Sequence, residues 1–478
     1  MARYFKYKSS ADVCADAAKL GHDLKATSDL SPLFQPIDVG GRTVGNRFCV
    51  QPMEGCDGTP EGFPDELTYR RYVRFGAGGA KLIWGEATAI EERARMNPRQ
   101  LLINEATMPA LEEMLADCRQ AHVDAGYSTN DLLLGLQLTH SGRYSHKTPL
   151  MAMRDPILDL VTIDKATGKL VAADKPILTD AELERIGELY VTAAIRAAKI
   201  GCDFIDLKQC HRYLLSELLA AKIRPGKFGG SLENRLRLIL DVIRAIRGEC
   251  PDLVLATRMN VFDGIPFKGQ GDEFVGQPIT VSLPVETSFG AAADDPSQLD
   301  LTEPLEVVRR LVDAGIGLIN VSLGNPYACP HYVRPAEMPP VDGYHAPEHP
   351  LLGVLRHFEA TAAVQKAAGN VPVVGSGYSW LQDYAFEAGA ANVRDGRCQF
   401  VGLGRGSLSQ PDFAANLEKH GALNRKTVCR TFSYCTNLMR TKDHPWGQYA
   451  TGCPPFDKEV YGPLWKEAEA KRVVPKAN

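Results

Sequence analysis

The densest chemistry in this chain lies between Phe204 and Tyr213. An apolar run of Phe204, Ile205 and Leu207 stops at Lys208, and His211, Arg212 and Tyr213 follow at once. An amine, an imidazole, a guanidinium and a phenol in six residues can hold a carbonyl or an anion and can move a proton. Active sites of α/β barrels are built at strand ends that carry such groups. Two glycine-rich turns come later in the chain. Gly375-Ser376-Gly377-Tyr378 and Gly402-Leu403-Gly404-Arg405-Gly406 each follow a short apolar run. Glycine lets backbone N–H groups approach a ligand, and Arg405 adds a fixed cation. Taken singly these are tight βα turns; as a pair, with the arginine, they read as a phosphate site. Two further strand ends carry polar groups. Gln51-Pro52-Met53-Glu54 closes one, and Gln137 interrupts the apolar LLLGLQL. A buried amide must find a hydrogen-bond partner, either a loop to tie down or the edge of a heterocycle.

These positions need a scaffold that brings strand ends together. Apolar runs occur at Arg47–Gln51, Lys81–Trp84, Leu132–Leu138, Phe204–Leu207, Leu253–Arg258, Gly317–Val321, Val371–Gly375 and Phe400–Gly402. Helical patterns separate them, among them Asp65–Phe75, Met108–His122, Asp180–Ala198, Leu232–Arg247, Pro304–Asp313 and Leu352–Ala367. Alternation of this kind predicts a parallel sheet, and eight strands match a closed (β/α)8 TIM barrel. The expected organisation is an N-terminal arm over 1–30, a barrel over 31–420 and a C-terminal extension over 421–478 that packs on the barrel. The insertion Ser145–Leu178 should hold a β-hairpin around VTIDKATGKLVAA. Phe262–Asp300, rich in Gly, Pro and Asp, reads as a long loop or lid.

Composition narrows the functional class. The 478 residues are 44% hydrophobic and 23% charged, with a net charge of −4. This balance makes no electrostatic case for nucleic acid or an anionic membrane. Neither a secretory h-region nor an apolar run long enough for a membrane span is legible, and the 12 scattered cysteines suit a reducing compartment. A cytoplasmic enzyme acting on a small molecule is expected, one that could assemble as a homo-oligomer.

Five ordered segments make the reading specific: NRFCVQPMEG, GLQLTHSGR, FIDLKQCHRYLL, FGGSLENR and VGLGRGSLSQPDF. Together, from about Leu33 to Leu417, they resemble the old yellow enzyme family of NADH:flavin oxidoreductases, nearest its trimethylamine dehydrogenase and 2,4-dienoyl-CoA reductase branches. The resemblance implies FMN at the C-terminal ends of the strands, with NADH or NADPH as reductant. Position by position it implies that Pro52 and Met53 pack on the flavin ring, Ala87 lies near its polar edge and Gln137 pairs with its pyrimidine side. It places Arg235 near N1 and C2=O, and Gly377, Gly404 and Arg405 on the phosphate. His211 and Tyr213 face the substrate, Tyr213 as proton donor.

Three features depart from the family pattern. Lys208 stands where ene-reductases carry His and amine dehydrogenases Tyr; a compact ammonium favours an anionic group or a carboxylate. Glu54 replaces the usual Thr or Cys beside the flavin, where it could bind a cationic substrate, pair with Lys208 or turn away. Cys429, Cys435 and Cys453 lack a C-x-x-C pair and number one fewer than a [4Fe–4S] cluster normally needs, and the FAD- and NAD-binding domains of that branch are not expected. Three functions follow in order of preference. The first is an FMN-dependent ene-reductase in which Lys208 and His211 hold an activating carbonyl and Tyr213 protonates the α-carbon. The second is an FMN-dependent dehydrogenase or demethylase of a methylated amine, suggested by Glu54. The third is a flavin-free barrel acting as a scaffold. His331, Arg334 and Arg258 stand as secondary positions near the site.

Overall fold

A computed structural model describes residues 3–471. Eight parallel strands close a barrel: β1 (Phe48–Val50), β2 (Leu82–Ala89), β3 (Leu133–Thr139), β4 (Phe204–Leu207), β5 (Val254–Asn260), β6 (Leu318–Ser322), β7 (Val373–Gly375) and β8 (Phe400–Leu403). Each pairs with its sequence neighbours, and β8 returns to β1 through Val401 opposite Phe48. Eight helices follow the strands: α1 (Glu66–Gly76), α2 (Met108–Asp124), α3 (Asp180–Lys199), α4 (Leu232–Glu249), α5 (Thr302–Asp313), α6 (Pro350–Ala368), α7 (Ala385–Arg394) and α8 (Phe413–His420). The expected (β/α)8 barrel is therefore the observed one.

Side chains alternate across each strand with a period of two, and this assigns the two cores. Cys49, Phe204, Val254, Ala256, Leu318, Val374 and Phe400 point inward and pack with Trp84. Their neighbours Phe48, Val50, Ile205, Leu207, Leu255 and Ile319 point outward under the helices. A two-stranded N-terminal hairpin, Ile37–Val39 with Arg42–Val44, adds Val39 and Val44 to the inner cluster.

The expected hairpin in the first insertion is present as Ile163–Asp164 paired with Lys169–Leu170. The second insertion is more ordered than a loop: Phe267–Gln270 pairs with Val275–Pro278. Beyond the barrel lie α9 (Tyr434–Arg440) and α10 (Lys458–Lys471), which cluster with Tyr449. Among the described residues, no helix is long and apolar enough to cross a membrane.

Candidate active site

Continuing the inward register past each strand end leads to one cavity. On β4, Phe204 and Asp206 point inward, so Lys208 does as well; on β5, Val254 and Ala256 lead in the same way to Arg258. Gln51, Ala87, Gln137, Lys208, Arg258, Ser376 and Gly404 all line a cavity of about 440 Å³ at the C-terminal mouth of the barrel. Pro52, Met53, Glu54, His211, Tyr213, Gly377 and Arg405 line it too.

Below the floor, Asp206 organises the centre. Its Oδ2 accepts from Gln137 Nε2 (2.5 Å) and Trp84 Nε1 (2.8 Å), and its Oδ1 from the Arg258 backbone N–H (2.7 Å). Burial pushes its carboxyl up to about 6, against the pull of these three donors. Gln137 is thus oriented from beneath, with its amide nitrogen committed to Asp206.

The reactive segment after β4 makes an unusual turn. His211 and Arg212 both have left-handed backbone, with φ of 65° and 59°. Such a conformation costs a non-glycine residue roughly 1–2 kcal/mol, so the surroundings must hold it. Arg212 provides the hold: its guanidinium, buried, ion-pairs with Asp155 and with Asp263 (2.9 Å) and donates to Thr287 O (2.5 Å). The clamp directs His211 and Tyr213 into the cavity from opposite sides of a buried arginine. Tyr213 Oη lies 2.7 Å from Tyr327 Oη, and Asn325 accepts the Tyr327 backbone N–H (2.9 Å) while donating to Tyr144 Oη (2.7 Å). Burial holds the Tyr213 phenol protonated far above its ordinary range and keeps the His211 imidazole neutral, with Arg258 and Lys208 adding to the second effect.

Lys208 is 4% exposed, and its Nζ sits over the Tyr213 ring, 3.9 Å from the centroid. Burial lowers its affinity for a proton, and Arg258 works in the same direction. Glu54 accepts a hydrogen bond from Asn97 Nδ2, and burial raises its carboxyl although Lys208 and Lys165 oppose this. No Glu54–Lys208 ion pair forms within 4 Å among the described residues.

The opposite wall fits a phosphate. Arg405 is 8% exposed, and its Nη1 is buried with no partner among the described residues. Arg334, on the same wall, donates to Thr436 Oγ1 and is crowded by Arg405 and Arg440, so its guanidinium is held below its usual range chiefly by burial. Gly402 leaves no room for a side chain, since a Cβ there would meet Gln51 Nε2 at 2.0 Å; Gly377 has φ of 91°. A cation with an unused donor beside bare backbone is a site for a phosphate monoester. Pro52, Met53 and Ala87 add apolar surface to the same cavity. The residues present therefore fit FMN: Arg405, Gly404 and Gly377 would hold its phosphate, and Pro52, Met53, Ala87 and Gln137 its ring.

One expected position falls elsewhere. Arg235 lies on α4, outside the cavity, where it ion-pairs with Glu303 (2.6 Å) and donates to the carbonyls of Leu219 and Gly230. The cation that does enter the cavity near Gln137 is Arg258, whose Nε has no partner among the described residues. Its signal was the inward parity of Val254, Ala256 and Arg258. The C-terminal extension, expected only to pack on the barrel, also supplies part of the cavity wall. Cys435, Thr436, Met439 and Arg440 of α9 line the cavity, and the Thr451 N–H bonds to Gly55 O (2.6 Å) beside Glu54. Ala87 lies within β2, at a register irregularity after Trp84, and not in a turn. His331 packs among Phe267, Tyr332 and Tyr344 outside the cavity.

The parallel barrel thus brings a buried arginine with an unused donor, apolar side chains and proton-bearing groups to one strand-end cavity. Sequence comparison gives the family. Residues 32–295 match the profile of the NADH:flavin oxidoreductase / NADH oxidase family, and the chain belongs to it. Among curated relatives, an NADH:flavin oxidoreductase of Gibberella zeae is 27% identical over 265 residues, covering 52% of this chain and 61% of that protein. An NADPH dehydrogenase of Listeria monocytogenes is 27% identical over 225 residues, 46% of this chain and 60% of that one. The chain thus spans about six tenths of the length of these first relatives; for an NADPH dehydrogenase of Geobacillus thermodenitrificans, 24% identical, it spans 91%. Among solved structures, a 2-naphthoyl-CoA reductase superposes with a TM-score of 0.64 at 18% identity, over 91% of this chain and 58% of that one. The old yellow enzyme homologue of Zymomonas mobilis gives 0.56 at 22%, over 83% and 95%. At these identities the superpositions establish the shared fold.

Proposed function

We propose that the chain is an FMN-dependent oxidoreductase that takes reducing equivalents from NADH or NADPH and reduces the C=C bond of a small, electron-poor alkene. The observation that carries this reading is a cavity at the barrel mouth lined both by Arg405, with its unused donor, and by Lys208, His211 and Tyr213. The relatives that are NADPH dehydrogenases support NADPH as the reductant. FMN, when bound, supplies the hydride chemistry. The chain's own part is to position and to protonate. Lys208 Nζ and His211 reach the activating carbonyl of the substrate and stabilise charge developing on its oxygen. Tyr213 gives its proton to the α-carbon. Its phenol, kept protonated by burial and oriented by Tyr327, suits an acid and not a base. With FMN bound, Arg258 would be the cation near Gln137 able to stabilise negative charge on the reduced ring.

The amine-oxidising alternative draws on Glu54 and on the tyrosines Tyr144, Tyr213 and Tyr327. An ammonium bound on the Tyr213 face meets a competitor, because the amine of Lys208 already occupies it. Anaerobic titration separates the two readings. NADPH or NADH should bleach the flavin, and an enone, enoate or nitroalkene should restore the oxidised spectrum. Bleaching by a methylated amine, with no reoxidation by any alkene in the panel, would reverse the assignment.

A further inference from the structure

Lys208 is unlike the other buried lysine of the barrel. Lys81 is 7% exposed, and its Nζ is held by Asp131 (2.6 Å) and by Ser128 O (2.6 Å). Lys208 is more deeply buried and has neither. Among the described residues, no carboxylate lies within ion-pair distance of its Nζ, and no oxygen accepts from it; the Nζ lies over the Tyr213 ring. Its stem is buried and its Nζ opens on the cavity with no protein partner, a setting whose partial desolvation favours the neutral, nucleophilic form. Arg258 pushes in the same direction, while Glu54, Asp206 and Cys210 pull against it. Buried, unpaired lysines beside another cation are the pattern of amines that attack carbonyls. Holding a carbonyl by a hydrogen bond needs only a donor, which an exposed or paired lysine supplies equally well.

We infer that Lys208 acts covalently, its Nζ condensing with the carbonyl of an α,β-unsaturated aldehyde or ketone to form a conjugated, protonated imine. This rests on the proposed alkene reduction and assigns its substrate class; for such a carbonyl the imine takes the place of the hydrogen bond from Lys208 to the carbonyl oxygen. The amine lone pair forms the C–N bond, and the carbonyl oxygen leaves as water with two protons. No oxidation level changes: ammonium plus carbonyl becomes protonated imine plus water. The positive nitrogen draws charge from the conjugated β-carbon more strongly than a hydrogen bond to oxygen does. The face of Tyr213 that now carries the Lys208 amine also stabilises the cation formed there. The β-carbon accepts the hydride that nicotinamide provides in the proposed reaction, leaving an enamine. Tyr213 protonates the α-carbon, and water hydrolyses the imine to the saturated carbonyl and free Lys208.

Trapping tests this without turnover. The FMN-loaded protein is incubated anaerobically with cinnamaldehyde and sodium cyanoborohydride, with no nicotinamide, then digested and mapped by mass spectrometry. The expected result is a secondary-amine adduct on Lys208, labelled at least about ten-fold above any other lysine and absent from Lys208→Arg. Labelling that follows surface exposure and spares Lys208 overturns the inference, and the wild-type map alone decides this if Lys208→Arg fails to fold. The two proposals fail separately. Alkene reduction without an adduct at Lys208 refutes covalent catalysis only; an adduct at Lys208 in a protein that reduces no alkene refutes the reductase reading.

Discussion

Arg212→Ala tests what holds the turn that carries His211 and Tyr213. The side chain is shared by Asp155 and Asp263, which are 1% and 2% exposed, and its removal leaves both buried carboxylates without their counter-charge. Breaking a buried pair from one side costs about 3–5 kcal/mol. The left-handed backbone at 212 persists with alanine, so that strain is not relieved. Unfolding entropy of about 2.1 cal/mol/K per residue gives about 1 kcal/mol/K for a chain of this length. The expected change in Tm is therefore a fall of about 4 °C, read by calorimetry on FMN-loaded protein. Activity should fall more than stability suggests, because His211 and Tyr213 flank the clamp; a loss of about ten-fold or more in kcat/KM corresponds to about 1.4 kcal/mol of lost positioning. Adding Asp155→Asn and Asp263→Asn to Arg212→Ala removes the stranded charges and should recover most of the Tm while leaving activity low. If the single variant melts within about 1 °C of wild type, or the triple variant melts no higher than the single, the ion cluster is not what holds the turn.

Two further outcomes follow from the site. Arg258→Leu should weaken FMN retention and lower the flavin reduction potential, whereas Arg235→Leu should cost stability through Glu303 and leave the potential unchanged; potentiometric titration of both variants distinguishes them. Asp206 holds its proton more tightly folded, at about 6, than at its ordinary 3.8, so its contribution to stability is present below 3.8 and lost as pH rises through about 6. The unfolding free energy of wild type relative to Asp206→Asn should fall by about 2.4 kcal/mol between pH 4 and 7; urea titrations showing a flat difference across that window would refute the assignment.

Much of the architecture was legible because it is written locally. Short apolar runs separated by helical patterns implied β1 to β8 within a few residues of their observed ends, and Gly402-Leu403-Gly404-Arg405-Gly406 carried the proposed phosphate wall in five consecutive letters. Lys208, His211 and Tyr213 were visible because the end of an apolar strand is a sequence feature. Arg258 was also within reach, since period-two alternation from Val254 sets its direction, whereas Arg235 belongs to a helix whose facing depends on packing. What one-dimensional pattern does not contain are contacts between residues far apart in the chain. The left-handed turn at His211 and Arg212 exists because Asp155 and Asp263 reach it from two insertions. Tyr327 meets Tyr213 across more than a hundred residues, and α9 closes the cavity from beyond the last strand. Local composition determined that this chain is a barrel with a reactive strand end. Only the closure of that barrel decided which cations face the ligand, because burial and partner charges are properties of the assembled surface.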